Sequence, residues 1–207
     1  MKIIGDYSKV SIFEKILNRQ EMKRLLIAAV LSFVCCIMAA QEIVYFDASA
    51  FPIYGKVSDA TDTRYERLPS ELKNVSREPV WYLGRHSAGL YIRFRSNSTS
   101  IHARWESTFN NTMTHMTDTG TKGLDLYTLL DGEWTHVCSA QPQGKKSERK
   151  IIANMDPIER EYMLYLSLYD GVSSLEIGVD AGATLDQPAV DSPSREKPIV
   201  MYGTSIL

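Results

Sequence analysis

The stretch KGLDLYTLLDGEWTHVCSA, residues 122–140, decides how the rest of the chain is read. Leu124, Leu126 and Leu130 alternate with Asp125 and Tyr127, and a period of two puts successive side chains on opposite faces of a strand. Asp131-Gly132 follows, a dipeptide suited to a tight turn because both residues tolerate the left-handed backbone that such turns require. The run from Glu133 to Ala140 then returns beside the first, so the stretch predicts a β-hairpin.

The same alternation continues on both sides. Leu90, Ile92 and Phe94 oppose Tyr91, Arg93 and Arg95, and Ile101, Ala103 and Trp105 oppose His102, Arg104 and Glu106. The polar SNSTS between them predicts a second hairpin. EYMLYLSLY, Asp170-Gly171 and SLEIGV predict a third, with Leu175, Ile177 and Val179 inward. No long amphipathic helix interrupts the series, and DPIEREYM has room for one turn at most. Short antiparallel strands at this spacing predict an all-β domain, a β-sandwich or jelly roll, over residues 41–185.

The flanks differ in character. Residues 186–197 are polar and proline-bearing, as in a linker. Pro198 to Tyr202 then lacks alternation and reads as a strand buried on both faces, the first of an α/β sheet, with Gly203-Thr204-Ser205 at its turn. At the other end, Met22-Lys23-Arg24, an apolar run from Leu25 and small residues at Ala39-Ala40 have the pattern of a signal peptide over residues 22–40, cleaved after Ala40. The apolar run is shorter than the roughly 20 residues that span a bilayer. Residues 1–21 are expected to be an over-extended start, and the mature protein to be secreted or periplasmic.

Composition narrows the function classes. The chain has 207 residues, a formal net charge of -2 and a pI near 6.1, with no basic footprint for nucleic acid. Cys35 and Cys36 fall in the segment to be removed, which leaves Cys138, read as a small buried hydrophobe, without a disulfide partner. The four histidines lack metal-ligand spacing, so neither a metal nor a cofactor is expected.

KGLDLY, together with WYLGRHSAGLYIRFRSNS, MTHMTDTGTKGLDLY and EYMLYLSLYDGVSSLEIGV in that order, resembles the Gly-x-Asp-Leu-Tyr β-sandwich domain that precedes certain bacterial SGNH/GDSL-type hydrolases. KPIVMYGTSI resembles the first block of the catalytic domain that follows. The resemblance implies a serine ester hydrolase acting on acylated carbohydrates or related esters, with Ser205 as nucleophile and its backbone N–H in the oxyanion hole. The other oxyanion donors and the Asp-x-x-His pair would lie beyond Leu207. The chain is therefore expected to be the N-terminal part of a two-domain esterase, not catalytic alone, with its own catalytic domain as partner. Two other readings stand beside it: a secreted carbohydrate-binding module, and a domain that serves only to pack.

Individual residues carry matching expectations. Gly123, Asp125, Leu126 and Tyr127 form the motif, and Asp125 is expected to face solvent or make a structural bond that fixes the strand. His115, in a polar loop ahead of the motif, is a candidate substrate contact or a loop histidine bonded to nearby backbone. His86, His102 and His136 read as structural or exposed. Trp81, Trp105 and Trp134 read as core in preference to a sugar-stacking platform.

Overall fold

The computed structural model describes residues 19–27 and 42–190. Most of the expected start segment, most of the signal peptide, the linker from residue 191, the strand at 198–202 and Ser205 lie outside the described residues. Residues 19–27 are helical (α1), with an exposed Arg24–Glu21 ion pair at 3.2 Å. Among the described residues no helix is long and apolar enough to cross a membrane.

Residues 42–190 form a sandwich of two antiparallel sheets. The first has the order β1-β9-β4-β7, from Ile43–Asp47 (β1), Val172–Asp180 (β9), Ile101–Ser107 (β4) and Lys146–Ile152 (β7). The second runs β10-β3-β8-β5-β6, from Leu185–Asp186 (β10), Tyr91–Ser96 (β3), Arg160–Tyr165 (β8), Leu124–Leu130 (β5) and Glu133–Ala140 (β6). The short Ile53–Tyr54 (β2) also pairs with β3. The alternating residues fill the space between the sheets. Leu90, Ile92, Phe94, Ile101, Ala103, Leu124, Leu126, Leu164 and Ile177 have no solvent exposure, and Trp105, Leu175 and Val179 have almost none. Leu130, counted with the inward set, is instead exposed beside the turn.

One predicted hairpin forms and two do not. β5 and β6 pair through Asp131-Gly132, whose φ values of 51° and 84° are those of the tight turn expected. β3 and β4 lie in different sheets, as do β8 and β9. The connections SNSTS and Asp170-Gly171 are arches across the sandwich, where equal alternation on both strands fits two facing sheets as well as one. Buried side chains build the first arch. Asp180 accepts from Thr99 N and Oγ1, both at 2.7 Å, and from Ser100 N and Oγ at 3.1 and 2.5 Å. Ser96 Oγ donates to Thr184 O at 2.6 Å. In the second arch Asp170, fully buried, accepts from Phe109 N and Asn111 N at 2.9 and 2.6 Å.

Two short helices lie outside the alternation. Glu78–Gly84 (α2) begins with Pro at its first turn, and Asp118–Lys122 (α3) leads into β5. Packing marks the end of α2: a Cβ on Gly84 would meet Leu68 Cδ1 at 2.2 Å, so glycine lets this helix end and the Leu68 loop close on each other.

Candidate functional site

The motif divides along its strand. Leu124 and Leu126 point into the core, whereas Asp125 and Tyr127 project from the outer face of the six-stranded sheet. Gly123, at the end of α3, is fixed by space: a Cβ there would lie 2.3 Å from Thr119 O and 2.8 Å from Ala140 O. Backbone on two sides leaves nothing flexible to yield. Gly123, Asp125 and Tyr127 line a groove of about 620 Å³, together with Trp134, Met163 and Tyr165.

Asp125 makes the structural bond expected of it. Ser139, its cross-strand partner on β6, donates from Oγ to Asp125 Oδ1 at 2.5 Å. His136 Nε2 stands 3.3 Å from the same Oγ. Serine, histidine and aspartate thus meet, but in an order unsuited to nucleophilic attack. An activated serine passes its proton to a histidine that the carboxylate orients from behind. Here the carboxylate holds the hydroxyl proton itself, and an alkoxide would form beside a negative charge. The cluster ties β5 to β6 across a bulge between Leu126 and Tyr127.

The rest of this face is aromatic. Tyr54 stacks on Tyr91 with centroids 5.3 Å apart; Tyr91 meets Tyr165 at 4.9 Å, Tyr165 meets Tyr127 at 5.5 Å, and Tyr127 meets His136 at 5.3 Å. Arg93, 3 % exposed, lies among them, its guanidinium 5.1 Å from the Trp134 ring centre and 5.7 Å from that of Tyr54. It faces Glu161 at 3.7 Å. Trp134 is therefore half-buried on the outer face and not a core residue, Trp81 is half-buried, and Trp105 sits in the core with Nε1 donating to Lys122 O at 3.1 Å. Arg93 was hidden from sequence reasoning because alternation assigns it to the outward phase. The available signal was the company it keeps: an outward phase of Tyr91, Tyr127, Met163 and Tyr165 is too apolar for a solvated face.

His115 sits exposed at the tip of the loop ahead of α3, between Met113 and Met116, which bridge. The loop base is rigid, held by Asp170 and by the buried Lys122, whose Nζ donates to Asn110 Oδ1 at 2.8 Å and faces Asp118 at 3.3 Å. No described residue hydrogen-bonds the His115 ring, and it is not part of the groove lining. His86 lies buried beside Tyr82 and Phe109; burial pulls its pKa below the ordinary value, partly countered by Asp170. His102 is lowered by burial as well and contacts Ser100 Oγ at 3.1 Å. Cys138 is free and half-buried. Among the described residues no three His, Cys, Asp or Glu side chains gather as metal ligands would.

The opposite outer face has a larger concavity, about 710 Å³, of another kind. Arg104 pairs with Glu148 at 2.9 Å, Lys146 with Glu106 at 3.5 Å, and Tyr45 donates to Glu148 at 2.9 Å. Burial, reinforced by Glu148, pushes the Tyr45 phenol up to about 12. The hydrogen bonds from Arg104 and Tyr45 hold Glu148 below the usual carboxylate range. These side chains satisfy one another and stay wet, as on an ordinary solvated surface.

The sequence matches the family model GxDLY, described as the N-terminus of SGNH-hydrolase-type esterases, over residues 43–185. Among solved structures the chain is similar to a protein of Bacteroides ovatus ATCC 8483 described as a GDSL-like lipase, with 34% identity and a TM-score of 0.67 over 70% of this chain and 43% of that one. It is also similar to SsfX3, a salicylyl-acyltransferase from a tetracycline biosynthetic pathway, with 19% identity and a TM-score of 0.51 over 75% of this chain and 44% of the other. The second likeness is one of fold alone. The chain thus spans less than half the length of either protein. No curated protein matches it.

Proposed function

This chain belongs to the GxDLY family, the N-terminal domain of SGNH-type esterases, and from that premise we propose that it is the accessory domain of a secreted serine ester hydrolase that deacylates carbohydrate esters. The observation that carries the reading is the family match over the whole sandwich, with the motif's Asp125 and Tyr127 turned outward to a groove and its two leucines spent on the core. Residues 22–40 act as the export signal. In the intact enzyme Ser205 attacks the ester carbonyl, a histidine from the following domain takes its proton, an aspartate orients that histidine, and the Ser205 backbone N–H helps to hold the oxyanion. The residues of the sandwich supply none of these roles. Asp125–Ser139–His136 has the wrong order, and His115 reaches substrate only if the following domain brings a site to the loop tip. No cofactor enters this chemistry.

The test is hydrolysis of acetylated xylan and of p-nitrophenyl acetate by the polypeptide that continues the frame past Leu207. Ser205→Ala abolishes both activities if the reading is right. Undiminished hydrolysis in that variant removes Ser205 from the mechanism, and release of p-nitrophenol without deacylation of xylan removes the carbohydrate.

A further inference from the structure

The outer face of the six-stranded sheet is unlike a surface built for water. Tyr54, Tyr91, Tyr165, Tyr127 and Trp134 spread across it, Met163 is buried at its centre, and Leu168 at its rim is 51% exposed. Buried within it, Arg93 Nε and Glu161 Oε2 have no hydrogen-bond partner, an expensive arrangement for charged groups. The last described residues lie on this same face. Glu161 Oε1 accepts from Ala189 N at 2.6 Å and from Val190 N at 3.2 Å, while Arg93 Nη2 donates to Val190 O at 2.6 Å. The polypeptide beyond Val190 therefore departs from the aromatic face itself.

Ring geometry bears on what covers it. A saccharide stacks on an open, flat ring face. Here Tyr127 meets Tyr165 and His136 edge-on, at 71° and 73°, and Arg93 occupies a face of Trp134. The rings are spent on one another and leave a rough apolar relief, suited to packed side chains. The eight residues from Val190 to Pro198 reach about 26 Å, and the four strands β3-β8-β5-β6 span only about 14 Å. The matched Bacteroides ovatus protein is more than twice as long as the region shared with this chain.

We propose that this face is the docking surface for the catalytic domain that follows Val190 in the same polypeptide, an inference that rests on the two-domain reading above. Tyr127, Tyr165 and Trp134 form its apolar centre, and Arg93 and Glu161 hold Ala189 and Val190 beside it. Asp125 gains a second polar partner from the incoming domain. The motif's outward residues are thus interface residues, and the two leucines between and beside them hold the strand that presents them.

The experiment compares the 207-residue chain with a fusion in which Lys197 is followed by the part of the Bacteroides ovatus protein beyond its matching region, both labelled with hydroxyl radicals and mapped by mass spectrometry. Labelling of Tyr127, Tyr165 and Trp134 should fall several-fold in the fusion, with Tyr45 on the opposite face unchanged. Protection of Tyr45 instead, or of neither face in a fusion whose added part hydrolyses p-nitrophenyl acetate, overturns the docking surface and leaves the esterase reading standing. If the fused domain does not fold, binding of the dye ANS by the chain alone decides. Tyr127→Asp with Tyr165→Asp should remove most of the fluorescence and Tyr45→Asp should not; equal loss overturns the proposal. Two further outcomes assign the face to another occupant and overturn it equally: protection of the same rings by millimolar xylohexaose, or by concentration-dependent dimerisation of the chain.

Discussion

The two outer faces of the sandwich have the same alternation beneath them and opposite chemistry above. On the four-stranded sheet Arg104, Glu148, Glu176, Glu106 and Lys146 satisfy one another in water. On the six-stranded sheet Arg93 is sealed among tyrosines and a tryptophan and faces the largely buried Glu161, while Arg95 and Glu159 pair nearer to solvent. Ion pairs of similar composition therefore differ in consequence. An exposed pair contributes little, because water solvates either partner once the other is gone; a buried partner left alone keeps its desolvation cost.

The sharpest way to break this contrast is Arg93→Ala. It should destabilise the domain by about 3–5 kcal/mol in urea unfolding, since the largely buried Glu161 loses its counter-charge and keeps only the backbone N–H groups of Ala189 and Val190. A loss below about 1 kcal/mol would make this face as wet as the other. Next in size is the clamp that joins the two sheets. Asp180→Asn should cost about 1.5–3 kcal/mol, the contribution of hydrogen bonds to a charged acceptor. Burial works against the Asp180 charge, yet the bonds from Ser100, Thr99 and Ser98 outweigh it and hold the carboxyl below its usual range. A folded pKa below the unfolded value of about 3.9 means that this stabilisation is fully present above pH 4 and is lost as pH falls through the folded value. Thermal melts between pH 6 and pH 2 should show that acid loss in the wild type and less of it in Asp180→Asn.

Smaller still is a pair of glycines, one under each face. Gly123→Ala pushes a methyl against two backbone carbonyls and should cost about 1–3 kcal/mol. Gly178→Ala meets side-chain atoms only, the ends of Tyr45 and Ile43 and the His102 Cβ that β4 holds in place, and should cost somewhat less. The reverse order in a chemical melt would show that the motif strand moves more freely than its packing indicates. The smallest effect is Arg104→Ala, which should leave the melting midpoint unchanged while moving the Tyr45 absorbance titration further above that of an ordinary phenol, because burial and Glu148 raise it and the Arg104 charge opposes them.

The same contrast explains what sequence reading reached. Alternation identified nearly every inward residue, because burial between sheets depends only on the parity of the strand. It could not say which sheet a strand joins. SNSTS reads as a polar turn, yet Ser96, Ser98 and Ser100 are buried, and the carboxylate that makes this tolerable, Asp180, lies some eighty residues away. The hairpin at Asp131-Gly132 was legible because its determinant is local. At the site, the solvent-facing phase of Asp125 followed from the pattern, but its partner Ser139 depended on a bulge that shifts the register of β6. α2 and α3, of seven and five residues, are too short for a helical period to show.

The pairing of β1 has a consequence for how the protein is made. Among the described residues Ile43 to Asp47 pair with Asp180 to Glu176 and with no other strand, and β9 is also a partner of β4. A chain growing from its N-terminus thus carries Ile43–Asp47 unmatched until β9 has been made. The second arch has its clamp once Asp170 is made, but the first cannot lock until the codon for Asp180 has been translated. Long-range closure of this kind is slow, and the nascent domain stays open until its last large strand emerges.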